Sequence, residues 1–202
     1  MTEIVLVRHG ETVWHAENRY TGRSDVPLSA RGREQAAALA RWAATAGLDA
    51  VVTSPSPRAR DTAEAAAKAA GHVAEVDPRL VEVDFGAGDG LTREEMAARF
   101  PAERDAFLAR PATQPLPGGE PGRDAVARAM PVLREVGSAH PDGRVLVVAH
   151  QTLIRLLLCE LLGIPLDDYR RVFPRVGGAA RTVVRPAPAG PAALLAYNVP
   201  SV

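Results

Sequence analysis

Four short apolar runs punctuate the chain, and much of what lies between them is written at helical spacing. Ile4-Val5-Leu6-Val7 is unbroken and rich in β-branched residues, the pattern of a strand buried on both faces. Ala50–Thr53 is a second such run, 73–76 a weaker third, and Val145–Ala149 the strongest. Between the first two, Ser29 offers an N-cap, Leu39, Trp42 and Ala43 share one face, and Gly47 closes, which predicts a helix from 29 to about 46. Pro57 sits where a helix starts, 58–70 favours helix, and Gly71 ends it. Residues 77–91 read as irregular and glycine-rich. Thr92 then caps a helix of about two turns, and Pro101 starts another. The Pro- and Gly-dense stretch 110–122 has the composition of a loop, either a mobile lid or plain surface. A helix over 123–139 contains Pro131, whose ring clashes with the preceding turn, so a break or kink is expected there. Leu153–Leu162 forms the helix after the Val145–Ala149 strand, and the tail holds two more strands, Arg181–Arg185 and Leu194–Tyr197.

This alternation predicts an α/β fold: a three-layer α/β/α sandwich whose mostly parallel sheet ends in an antiparallel edge from the tail. No repeat and no long linker interrupts it, so residues 1–202 are expected to form one domain. That length buries a full core without staples.

Composition narrows the function classes. Acidic and basic residues number 24 each, which argues against a dedicated nucleic-acid binder but not against a concentrated positive pocket. Lys68 is the only lysine among the basic residues, a bias attributed mostly to genomic composition, since alanine is also heavily used. The single cysteine, Cys159, excludes an intramolecular disulfide framework and reads as a packed core thiol. The run 4–7 is too short for a signal segment, and 152–163 contains Arg155 and Glu160 and is too short to span a membrane. A cytoplasmic, reducing location is therefore expected. The oligomeric state is not legible, and a homodimer stays open.

In an open α/β sheet, ligands bind beyond the carboxyl ends of the strands. After the first strand comes Arg8-His9-Gly10-Glu11-Thr12, after the second Ser54-Pro55-Ser56-Pro57-Arg58, and after Val145–Ala149 comes His150-Gln151-Thr152. Each residue alone is weak: a lone His there usually bonds a loop, and a lone Arg at a helix start is usually a surface charge. Together, two histidines and two arginines suggest phosphoryl chemistry. Guanidinium groups match phosphate oxygens and neutralise a transferring phosphoryl group. A neutral imidazole is a competent nucleophile near pH 7. The departing alkoxide also needs an acid. Glu82 is the candidate, with Glu11, Asp84, Asp89 and Glu120 as alternatives that residue types alone do not rank.

Six motifs in order then resemble the histidine phosphatase superfamily, also called phosphoglycerate-mutase-like, from Ile4 to about Asn198. They are Arg8-His9-Gly10-Glu11-Thr12, the stretch from Trp14 to Gly32, Ser54 to Thr62 with Arg58, Leu80-x-Glu82-x-x-Phe85-Gly86 closed by Gly90-Leu91, Pro117-Gly118-Gly119-Glu120, and Val147-Val148-Ala149-His150. The resemblance implies that His9 is a nucleophile forming a phosphohistidine. Arg8, Arg58 and His150 would hold the phosphoryl group, and Glu82 would be proton donor and then base. It also implies substrate contacts from His15, Thr21, Gly22 and Gln151, a small phosphorylated metabolite as partner, and no metal or other cofactor. Three departures stand out: His15 where Asn is common, Gln151 where Gly often follows, and Gly88-Asp89 with Pro121 where Trp-Glu and Ser are common. Residues 14–25 look mutase-like. However, Glu82 is followed by Val83-Asp84-Phe85 and not by the mutase Arg-His-Tyr run, and the mutase insertion bearing paired arginines is reduced. A phosphatase acting on a small phosphomonoester is therefore expected, with a phosphoglycerate mutase as the alternative and an inactive binding module a distant third.

Overall fold

The computed structural model describes residues 1–187 and 189–201, so Pro188 and Val202 of the expected domain lie outside the described residues. Six strands form one sheet: β1 (Glu3–Arg8), β2 (Ala50–Thr53), β3 (Ala74–Val76), β4 (Arg144–Ala149), β5 (Arg181–Arg185) and β6 (Ala193–Val199). Their order is β3-β2-β4-β1-β5-β6. The first four are parallel, and the tail adds β5 and β6 antiparallel. The expected α/β sandwich with an antiparallel edge is what the chain adopts.

The sheet's alternation sorts its two faces. Val5, Val7, Leu146 and Val148 point to one side, where α1 (Ala30–Ala43) and α2 (Pro57–Ala69) cover them. Small side chains such as Ala43, Ala59, Ala63 and Ala66 let these helices lie close. Ile4, Leu6, Val145 and Val147 point to the other side, beneath α5 (Gly122–Ala139) and α6 (Gln151–Leu162). Short helices α3 (Arg93–Arg99) and α4 (Pro101–Ala109) extend that second core through Met96 and Phe107, and α7 (Tyr169–Val172) adds Tyr169. No helix among the described residues is long and apolar enough to cross a membrane.

Two local expectations change. Of the break or kink expected at Pro131, the break does not occur, because α5 runs through it. Ala129, Met130, Val132 and Leu133 on either side are all buried. Large buried side chains contribute about 1.5–3 kcal/mol each, enough to offset the roughly 3 kcal/mol cost of a helical proline. Second, α6 starts at Gln151, two residues before the expected Leu153, for a reason that lies in the site.

The loop 110–122 is tied down by its own contacts. Ala112 and Leu116 are buried, Asp167 accepts the N–H groups of Ala112 and Thr113, and Glu120 pairs with Arg128. None of its residues lines the cleft described next.

Candidate active site

Strand order brings the two histidines together. β4 inserts beside β1 in parallel register, with Arg8 opposite Ala149, so His9 and His150 leave the sheet side by side. The His9 N–H donates to the Ala149 carbonyl at 3.0 Å, and the two imidazole centroids lie 5.2 Å apart. β2 flanks β4, and its continuation, Ser54, places Oγ 2.7 Å from His150 Nε2.

The His9 tautomer follows from its neighbours. Its Nδ1 lies 2.7 Å from the Gly10 carbonyl, which only accepts, so Nδ1 carries the proton. Nε2 keeps its lone pair and accepts from Arg58 Nε at 3.3 Å. Burial, then His150 and the nearby arginines, hold the His9 pKa well below 6.5, so the ring is neutral across the physiological range. His150 is held down in the same way by burial and by Arg58, Arg128 and Arg8. Its Nδ1 is buried with no partner among the described residues, as is Arg8 Nε.

Arg58 sits in the first turn of α2 and is fully buried at 0% exposure. Its NH1 donates to the Ser24 carbonyl and its NH2 to the Gly22 carbonyl, at 2.8 and 2.9 Å. Thr62, one turn on, links α2 to the end of β1: its Oγ1 accepts the Gly10 N–H and donates to the Arg58 carbonyl. Glycine is required at Gly10, because a Cβ there would lie 2.4 Å from the Gly32 carbonyl oxygen. Arg8 donates NH1 to the Val176 carbonyl and NH2 to His15 Nε2. Burial pulls the Arg8 pKa down to about 10, which leaves it cationic near neutrality. His15 is pulled to about 4, first by burial and then by Arg8, and stays neutral.

The five candidate acids separate cleanly. Glu11 faces Gln35 and Arg31, Asp84 accepts the Gly86 N–H, and Glu120 is paired with Arg128. Only Glu82 of the five lines the cleft that contains His9. It is 4% exposed, and its carboxylate accepts N–H groups from Val83, Thr152 and Leu153 at 2.9 Å each. Glu82 thereby caps α6, satisfying donors that a helix start otherwise leaves free, and this carries the helix back to Gln151. Its pKa is raised above 4.5 because burial outweighs those three bonds and the Arg58 charge.

Asp89 has a different task. Its carboxylate accepts the N–H groups of Gly22, Arg23 and Ser24 and the Ser24 hydroxyl, all within 3.1 Å. It therefore clamps the loop whose carbonyls hold Arg58. Asp89→Ala frees those four donors and is expected to lower kcat/KM about tenfold or more, with Asp89→Asn retaining part because its amide oxygen still accepts. Steady-state kinetics on an aryl phosphate checks this, and unchanged kcat/KM in the alanine variant refutes the clamp.

The cleft encloses about 710 Å³ and is lined by Arg8, His9, His15, Thr21, Glu82 and Gln151, among others. Three of the expected site residues, Gly22, Arg58 and His150, do not line it: the Gly22 carbonyl serves Arg58, and Arg58 and His150 are fully buried behind the wall. Lining residues not singled out as site candidates from the sequence include Arg155 on α6 and Arg170 on α7. Neither carries a motif, and only the packing of α6 against α7 brings them to one wall. Among the described residues no group of three or more His, Cys, Asp or Glu could hold a metal ion.

Comparison with known proteins agrees with this architecture. Phosphoserine phosphatase 1 of Hydrogenobacter thermophilus is 32% identical over 169 residues, 84% of this chain and 80% of that protein. A probable phosphoglycerate mutase of an Enterobacter species is 34% identical over 177 residues, 85% of this chain and 80% of that one. The solved structure of a mycobacterial glucosyl-3-phosphoglycerate phosphatase in complex with VO3 superposes with a TM-score of 0.89 at 31% identity, covering 98% of this chain and 99% of that one. Residues 4–199 match the histidine phosphatase superfamily (branch 1), and the chain belongs to that family.

Proposed function

We propose that the protein hydrolyses small phosphomonoesters through a phosphohistidine on His9. The observation that carries this reading is the neutral His9 with its Nε2 lone pair beside the Arg58 guanidinium. Nε2 attacks phosphorus as the ester P–O bond breaks, and the leaving oxygen takes the proton from Glu82. Water then attacks the phosphohistidine, Glu82 accepts its proton, the P–N bond breaks, and inorganic phosphate leaves with His9 neutral again. Arg8 and Arg58 neutralise the phosphoryl charge in both steps. The orphaned Arg8 Nε and His150 Nδ1 support an anion among these groups. Burial first, and then the nearby arginines, hold His150 neutral, and a bound phosphoryl dianion would oppose the arginine share. His15, where relatives commonly present Asn, lines the cleft and holds Arg8 through Nε2, and Gln151 and Thr21 would meet the leaving group from the cleft wall. Cys159 is buried, with its thiol pushed up to about 11 by burial, which suits a core role in a reducing compartment such as the cytoplasm.

A second reading, phosphoglycerate mutase, is favoured by the Glu17–Thr21 segment on the cleft wall and by the mutase-named relative. Incubation with 3-phosphoglycerate and catalytic 2,3-bisphosphoglycerate separates the two. Free phosphate is expected to appear faster than 2-phosphoglycerate, and the opposite order overturns the phosphatase reading.

A further inference from the structure

The cleft that contains His9 also carries two arginines that pair with no carboxylate among the described residues. Arg155 is only 6% exposed. Its NH2 donates to the Pro174 carbonyl, and its Nε is buried with no partner among the described residues. Arg170, from α7, stacks its guanidinium 4.4 Å from the Phe107 ring centroid and donates Nε to the Tyr169 hydroxyl. Both line the same cleft as His9. Among the described residues neither lies within 4.0 Å of a carboxylate, whereas Arg19 at the rim is paired with both Glu17 and Glu95. Of the acids lining the cleft, Glu82 caps α6, Glu17 pairs with Arg19, and Glu94 is exposed on α3. Arg8, Arg155 and Arg170 thus share the lining of one cleft with His9.

A buried guanidinium without an anion is costly, and forked N–H donors match carboxylate or phosphate oxygens. We infer that Arg155 and Arg170 form a second-anion subsite, so that the substrate is a phosphomonoester whose alcohol carries another anionic group, a carboxylate or a second phosphate. The inference rests on the reading of His9 as phosphoryl acceptor, because that choice decides which end of the cleft receives the transferred group. The sequence argues the other way, since the paired arginines of mutases come from an insertion that is reduced here. In this fold α6 and α7 supply the pair without it.

Three esters of equal reach test the subsite: 3-phosphoglycerate, propane-1,3-diol bisphosphate and glycerol 3-phosphate. At least one of the two doubly anionic esters is expected to exceed glycerol 3-phosphate in kcat/KM by about tenfold or more, and the faster of them identifies the second anion. Arg170→Gln is expected to reduce that preference about 10- to 100-fold, mainly through KM. Arg155→Lys keeps the charge in a buried position and should reduce it partially. Equal kcat/KM for all three esters, or an Arg170→Gln loss that is the same on every ester, overturns the subsite. Calorimetric binding of 3-phosphoglycerate and glycerol 3-phosphate to the His9→Ala protein needs no turnover. A clear preference there with no hydrolysis by the unaltered enzyme sinks the phosphatase reading but upholds the subsite, and equal affinities reject the subsite alone.

Discussion

His9→Ala is expected to lower turnover of p-nitrophenyl phosphate on the order of 10⁴-fold or more, by analogy with removal of other covalent nucleophiles, while the protein stays folded. The loss is chemical because no second group can take the role. His150 directs Nε2 to Ser54 and is held by burial among arginines, and His15 has both ring nitrogens engaged by Thr12 and Arg8. Folding survives because His9 lies just beyond β1, whose packing rests on Ile4 to Val7, all essentially buried. A thermal melt within a few degrees of the unaltered protein is the control. Acid-labile, base-stable label on the unaltered enzyme after incubation with labelled substrate, and none on the variant, completes the test. Turnover retained in His9→Ala rejects the nucleophile.

The strands and the four strand-end residues were legible for a simple reason. A buried central strand is a continuous apolar run, and the residue after it must face the sheet's edge. Arg8, His9, Arg58 and His150 became candidates through that placement, and the resemblance to the histidine phosphatases supplied their expected roles. The residues that aim them were not. Asp89 lies between a glycine-rich turn and Thr92, with nothing local to distinguish it from a surface carboxylate, yet it holds three successive N–H groups some 65 residues earlier in the chain. Residue types alone did not rank the five acids; the resemblance implied Glu82, and the chain's return through α6 adds that Glu82 meets a helix N-terminus. Pro131 shows the converse: a strong local signal lost to the burial of its neighbours.

Arg155 illustrates a third case. Inside an apolar run it reads as an interruption that excludes a membrane span, and nothing in its neighbours says whether the guanidinium leaves the core or enters a cavity. Only the fold aligns it with Arg170. The neutral overall charge concealed this wall entirely, because surface pairs such as Arg79 with Glu135 cancel elsewhere.

Glu82→Gln is expected to cost about 10²–10⁴-fold on alkyl phosphates and about tenfold on p-nitrophenyl phosphate, whose leaving group needs little protonation. Part of the loss on both is structural. The carboxylate accepts three N–H groups, and a glutamine NH2 set against the Thr152 N–H faces donor to donor. The ratio of the two losses removes that shared part and leaves proton donation. The pH profile carries the same information with a defined sign. Glu82 acts protonated in the first step, and burial raises its pKa above 4.5, so alkyl-phosphate turnover should decline as pH rises through that raised value. His9, held well below 6.5, must be neutral to attack, so protonation limits activity only at the acid end. For p-nitrophenyl phosphate the alkaline decline should be nearly absent, and in Glu82→Gln it should vanish for alkyl esters too. Equal losses on both substrates, or an alkaline limb that persists in the variant, assign the proton to another group, and Glu82 would then be the cap of α6 and nothing more.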